Sequence, residues 1–197
     1  MQLEIRSDSI IAQGYVNVVE RLSRPINGYH GKFTEVVKAG TFANALKANN
    51  DVKLKYNHKR VIGSMADGTL ELKEDPIGLY AKATITDAEV IKSAREGKIK
   101  GWSFGFNKIK DEWQRDEAGN EIRSLCEIKL NEVSIVDITP VYRATSVEVR
   151  GEVEELIEHR LTDDKLTVTD VSQPDVKPNE NVLACRKVVD GLKEAKL

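Results

Sequence analysis

Residues 101–106 read Gly101-Trp102-Ser103-Phe104-Gly105-Phe106, and the six positions divide by parity. Successive side chains of an extended strand point to opposite faces, so Trp102, Phe104 and Phe106 share one face while Gly101, Ser103 and Gly105 share the other. Each aromatic can bury roughly 150–250 Å², so the first face predicts a core anchor. The second predicts an exposed hydroxyl between two positions without side chains, where another backbone can approach closely. Glycine weakens a strand interior. Two glycines around a serine therefore call for a reason, either a barrel bend that relieves crowding or access to the hydroxyl.

Outward from this stretch the dominant period remains two. Gly14-Tyr15-Val16-Asn17-Val18 and the run from Ile77 through Leu79, Ala81 and Ala83 to Ile85 read as half-buried strands. Further strands are predicted at 33–38, 52–56, 68–73, 100–113 and 122–136, with 115–121 as a hairpin loop. Two helices interrupt the pattern. One starts with Thr41 as N-cap and carries Phe42, Ala45 and Leu46; the other starts at Asp87, carries Val90, Ile91 and Ala94, and stops at Gly97. About seven strands with few helices predict a mainly β barrel or sandwich.

The 197 residues carry 30 basic and 32 acidic side chains, and the net charge of −2 gives no general reason to expect binding to DNA or RNA. No apolar run approaches the roughly 20 residues of a membrane helix, and Met1-Gln2-Leu3-Glu4 has no basic region followed by an apolar one, so no secretory signal is expected. Cys126 and Cys185 are too few for a disulfide framework or a thiolate zinc site, so neither metal nor cofactor is expected. All five Tyr, four Phe and two Trp fall at or before Tyr142. A compact domain is therefore placed at 1–150, followed by an acidic tail at 151–197. Pro174 and Pro178 mark a linker in the tail. Val153, Leu156, Ile157 and Leu161 predict one short tail helix, and Val182, Val189 and Leu192 a second.

A serine hydroxyl becomes a nucleophile at neutral pH when a base takes its proton, and histidine has the matching pKa. Three histidines are present. His159 reads as an exposed tail-helix residue and His30 as part of a glycine-rich turn. His58, in Tyr56-Asn57-His58-Lys59-Arg60, closes a strand, where it is either a displayed base or an ordinary loop residue. A carboxylate would orient the imidazole. Glu132 sits among apolar neighbours in Leu130-Asn131-Glu132-Val133-Ser134-Ile135-Val136-Asp137 and needs a partner, either His58 or a lysine such as Lys129. Asp137, of opposite parity at the strand end, is the alternative third member.

An ordered series of segments then resembles the prohead maturation serine proteases of tailed bacteriophages. It runs through residues 33–42, Asn57-His58, Ile62-Gly63, Gly78-Leu79, Gly97, residues 101–106, residues 132–136, and Thr139-Pro140-Val141-Tyr142-Arg143-Ala144. The resemblance implies a herpesvirus-protease-like β-barrel with a few peripheral helices, and a serine endopeptidase with histidine preceding serine. It implies His58, Ser103 and Glu132 as the catalytic set. The viral relatives use a second histidine as third member; none lies between Ser103 and the tail, and Glu132 stands in its place. It also implies oxyanion or substrate contacts near Arg143, with Gly101 and Gly105 as further candidates. The implied partners are the major capsid protein and scaffold, cut inside the immature capsid in the host cytoplasm, and the chain itself; a homo-oligomer is left open. The competing reading is a non-enzymatic capsid-assembly or scaffolding module on the same barrel. An esterase reading fails on context. Gly101-Trp102-Ser103-Phe104-Gly105 has the letters of a nucleophile elbow, but it lies within a β run rather than between strand and helix.

Overall fold

The computed structural model describes residues 1–28, 31–137, 147–148, 157–161 and 165–172. In chain order the elements are β1 (Gln2–Ile5), β2 (Ile10–Val18), β3 (Ile26–Gly28), β4 (Gly31–Val37), α1 (Thr41–Ala48), β5 (Lys53–Tyr56), β6 (Arg60–Ser64), β7 (Leu70–Glu74), β8 (Gly78–Ile85), α2 (Ala88–Arg95), β9 (Gly101–Arg115), β10 (Glu121–Val136), β11 (Val147–Glu148), β12 (Ile157–Leu161) and β13 (Thr167–Asp170). The protein is mainly β with two short helices. Among the described residues the strands pair into two sheets and no closed barrel is formed. One sheet runs β13-β1-β2-β8-β7, the other β11-β12-β9-β10-β4-β3.

The second sheet is organised by the long β9/β10 hairpin. Bulges in its register between Leu125 and Glu127, Glu127 and Ile128, and Leu130 and Glu132 bend the ribbon. The first part of β10 can thus pair with β4 and its last part with β5, both in parallel. The two sheets share one core. Leu3, Ile10, Ala12 and Leu79 come from the first, and Trp102, Phe104, Phe106 and Leu130 from the second. Trp102, Phe104 and Phe106 are fully buried, each worth roughly 1.5–3 kcal/mol or more of transfer free energy. Phe42 of α1 meets Phe104 edge-on at 5.4 Å.

Asp87 caps α2 as the sequence predicts, its carboxylate accepting from the N–H groups of Glu89 and Val90. The start of α1 differs. Thr41 is the first helical residue, and its hydroxyl donates to the carbonyls of Leu125 and Cys126. The cap comes from a distant strand, because the Glu74 carboxylate of β7 accepts from Gly40 N and Ala43 N. A carboxylate there also complements the positive end of the helix.

The larger departure lies after residue 150. Residues 157–161, expected on a helix, form strand β12 beside β9, and Thr167–Asp170 forms β13 parallel to β1. The helical pattern misled because Glu158 and Arg160 count as solvent-facing charges, whereas both are buried in ion pairs. Ile157, His159 and Leu161 alternate with Glu158 and Arg160, and residues 158–160 are all buried, so the strand is covered on both faces. The second predicted tail helix, at 182–192, lies outside the described residues.

Candidate active site

Ser103 sits on β9 with Ser134 of β10 opposite it on one side and Leu161 of β12 on the other. Two residues along, Gly105 lies opposite Glu132 and His159. The even register spacing puts Ser103, Glu132, Ser134 and His159 on one face. The sequence predicts an exposed hydroxyl here. Instead Ser103 is only 2% exposed, because β12 runs alongside and its Arg160 carbonyl accepts a hydrogen bond from Ser103 Oγ at 2.7 Å.

His58 reaches this face through a turn. Asn57 and His58 both have left-handed backbones, with φ of 52° and 61°, and Lys59 N bonds back to Tyr56 O at 3.1 Å. Two consecutive positive φ values define the tight hairpin turn that joins β5 to β6. Asparagine tolerates this conformation, but histidine adopts it at a cost of about 1–3 kcal/mol. What holds it is the contact of His58 Nδ1 with Glu132 Oε1 at 2.5 Å.

Glu132 is 1% exposed and its carboxylate is held on both oxygens. Oε1 takes His58 and lies 3.4 Å from His159 Nδ1, an ion-pairing distance without hydrogen-bond alignment. Oε2 accepts from Ser134 Oγ at 3.2 Å and lies 3.3 Å from Lys55 Nζ. Burial alone would raise its pKa; the two imidazoles and the Lys55 ammonium outweigh it and hold the carboxyl well below the usual range. Glu132 is thus a fixed anion at the Nδ1 edge of His58. The His159 ring packs tilted against the His58 ring, 4.1 Å between centroids.

Asp137 serves elsewhere. Its carboxylate binds Tyr56 Oη, Asn57 Nδ2 and Ser93 Oγ, with no hydrogen bond to His58. These three donors lower its pKa against the opposing effect of burial. Lys129, weighed as a partner of Glu132, gives way to Lys55. Among the described residues no hydrogen bond joins His58 to Ser103. Gly101 opens β9 opposite Val136. Gly105 is explained by space: a Cβ there would sit 2.8 Å from Glu132 Oε1 and 2.9 Å from His159 Nδ1. The sequence predicts a close backbone approach here; instead the nearest atoms are those of two side chains. Arg143, with its flanking 139–144 segment, and His30 lie outside the described residues.

Sequence reasoning missed His159, Lys55 and Ser134. The period-two alternation of 157–161 was the available signal for His159, and the shared parity of Ser134 and Glu132 for Ser134. His58, Glu132 and His159 also offer metal-ligating atoms within 4.8 Å of one another. Two ligands around one tetrahedral zinc stand about 3.3 Å apart. The 2.5 Å contact of His58 with Glu132 is closed to an ion and has the spacing of a hydrogen-bonded pair.

Across the sheet, on the opposite face of β12, lies a buried charge cluster. Arg160 Nε and Nη2 donate to the two oxygens of Glu35, each at 2.7 Å, and Arg123 donates to both oxygens of Glu158 at 2.6 and 2.8 Å. Arg123 also reaches Asp111 at 2.8 Å and Glu35 at 3.3 Å. Burial would lower the arginine pKa values, but the carboxylates around them raise both.

A search among curated proteins and one among solved structures return no match. A family model described as Caudovirus prohead serine protease matches residues 1–160. That span contains the strand bearing Ser103, the turn bearing His58 and the Glu132 carboxylate, and the chain belongs to the Caudovirus prohead serine protease family.

Proposed function

We propose that Ser103 is the nucleophile, His58 the general base and Glu132 the orienting carboxylate of this serine protease. The observation that carries the assignment is the 2.5 Å contact between His58 Nδ1 and a buried, ionised Glu132 on the face of the sheet that bears Ser103. With Nδ1 engaged by Glu132, Nε2 is the nitrogen that takes the Ser103 proton and returns it to the leaving amine. Such proton transfer contributes roughly 10²–10⁴-fold. Backbone N–H groups supply the oxyanion site, the segment around Arg143 being the candidate, at roughly 10²–10³-fold per donor.

Membership of the family makes this a protease of phage prohead maturation, for which capsid and scaffold proteins are the substrate class. We assign cleavage of the scaffold and of N-terminal segments of the capsid protein, inside the prohead, to this site, together with cleavage of the chain itself. A herpesvirus-protease-like arrangement of the strands is part of the same proposal. Among the described residues no helix is long and apolar enough to cross a membrane. The test is the activity of purified variants on scaffold and capsid protein: Ser103→Ala and His58→Ala lose cleavage. Wild-type turnover by Ser103→Ala would sink the assignment.

A further inference from the structure

Resting on the reading of Ser103 as nucleophile, we propose that β12 is the enzyme's own substrate strand. The Arg160–Leu161 bond is then the scissile bond, and Glu35 and Arg123 read the Glu-x-Arg sequence before it.

The first argument is the way β12 lies. An extended peptide adds to a sheet edge through main-chain pairing, with pockets that take alternate side chains. β12 does this antiparallel to β9, Glu158 opposite Phe106, His159 opposite Gly105, Arg160 opposite Phe104 and Leu161 opposite Ser103. Among the described residues only two-residue β11 lies beyond it in the sheet, so without β12 the serine strand would be an edge of that described sheet. The Arg160 carbonyl oxygen is 2.7 Å from Ser103 Oγ. A C=O bond of about 1.23 Å puts the carbonyl carbon within about 4 Å of the nucleophile, close to the roughly 3–3.5 Å of a near-attack geometry. His159, one residue before the bond, packs on His58, the base that must serve the reaction.

The second argument is the receptor under the alternate side chains. Glu35 of β4 grips the Arg160 guanidinium through both oxygens, and the guanidinium lies 5.2 Å from the Phe106 ring centroid. Arg123 of β10 grips Glu158 in the same two-pronged way. Paired contacts of this kind fix both charge and orientation. Glu35 and Arg123 are 3.3 Å apart, so each retains an opposite charge when the strand leaves. Glu158 and Arg160 add no net charge, so the receptor carries the same net charge with or without its peptide, which a single buried charge would not allow.

In the reaction the Ser103 hydroxyl turns its proton from the Arg160 oxygen to His58, and Oγ bonds to the Arg160 carbonyl carbon. The C–N bond breaks as His58 passes the proton to the Leu161 nitrogen. Water, deprotonated by His58, then cleaves the ester, giving a chain that ends in the Arg160 carboxylate, a peptide of residues 161–197, and free Ser103.

Intact-mass analysis of the full chain tests the bond. Wild type should yield chain 1–160 and peptide 161–197, and Ser103→Ala should remain whole. A synthetic peptide of residues 155–163, added in trans, tests the receptor against its Arg160→Ala analogue. We expect wild type to prefer the arginine peptide roughly 10–100-fold in kcat/KM, and Glu35→Gln to bring that ratio to about one. A purely structural Glu35 would slow both peptides alike and leave the ratio standing, which overturns the receptor. Labelling by a serine-directed fluorophosphonate separates the two levels. Ser103 labelled with cleavage elsewhere, after Arg150 for instance, or with none, overturns β12 as substrate and leaves the catalytic set. No labelling and no Ser103-dependent cleavage of any peptide overturns both.

Discussion

Asn57 and Asp137 exchange a pair of hydrogen bonds: Asn57 Nδ2 donates to Asp137 Oδ1 at 2.8 Å, and the Asp137 N–H donates to Asn57 Oδ1 at 3.0 Å. With Asn57 N bonded to Ile135 O at 2.9 Å, the turn that presents His58 is fastened to the end of the strand that carries Glu132. His58 and Glu132 are thereby held in one frame.

Asn57→Ala should lower kcat/KM by roughly 10–100-fold and stability by about 1–2 kcal/mol, because it removes both bonds and puts alanine in the left-handed region. Asn57→Gly restores the backbone freedom but not the bonds. Peptide kinetics and urea unfolding of the pair separate the two effects, with glycine recovering stability ahead of activity.

Gly105→Ala should disable the site at modest cost to the fold. The added methyl meets Glu132 Oε1, Glu132 Cγ and His159 Nδ1 at 2.8–2.9 Å, so carboxylate and imidazole must move. Overpacking of this kind costs about 1–3 kcal/mol. Cleavage falling at least tenfold while the thermal transition remains cooperative is the expected result.

Glu132→Ala should retain more activity than Ser103→Ala or His58→Ala, since on the proposed assignment it removes the orienting group and leaves nucleophile and base. The pH dependence of stability gives a second check. The folded pKa of Glu132 lies below its ordinary 4.5. Its ionised form therefore stabilises the protein fully above about pH 4.5, and that contribution drains away as pH falls toward the folded value. Urea midpoints of Glu132→Gln should accordingly fall less than those of wild type between about pH 5 and pH 3.

Glu74→Ala should destabilise the fold by about 0.5–2 kcal/mol through loss of the α1 cap, with kcat/KM of the folded enzyme unchanged. Calorimetry together with active-site titration distinguishes that outcome from damage to the site.

The parity of residues 101–106 made the core anchor and the serine strand legible, because three aromatics at period two have one reading, but not the burial of the serine face. That Glu132 takes a partner was also legible, since a carboxylate among apolar neighbours requires one; the sequence left His58 and a lysine as the candidates, and the structure places His58 and Lys55 there. Strand β12 was not. Its burial depends on Glu35 and Arg123, more than a hundred and more than thirty positions away, and local pattern gives such charges to solvent. The cap of α1 was hidden for the same reason: Thr41 is a good capping residue by type, but a carboxylate from β7 occupies that role.

The left-handed backbone of His58 bears on timing during synthesis. Its turn leaves the ribosome long before Glu132 and Asp137, whose contacts hold it. Synthesis proceeds at roughly 5–20 residues per second. For several seconds the nascent chain contains His58 but not Glu132, and soon afterwards Ser103 as well. On the proposed assignment, the His58 turn gains its anchor only after the last part of β10 has been made and paired, a delay set by chain order.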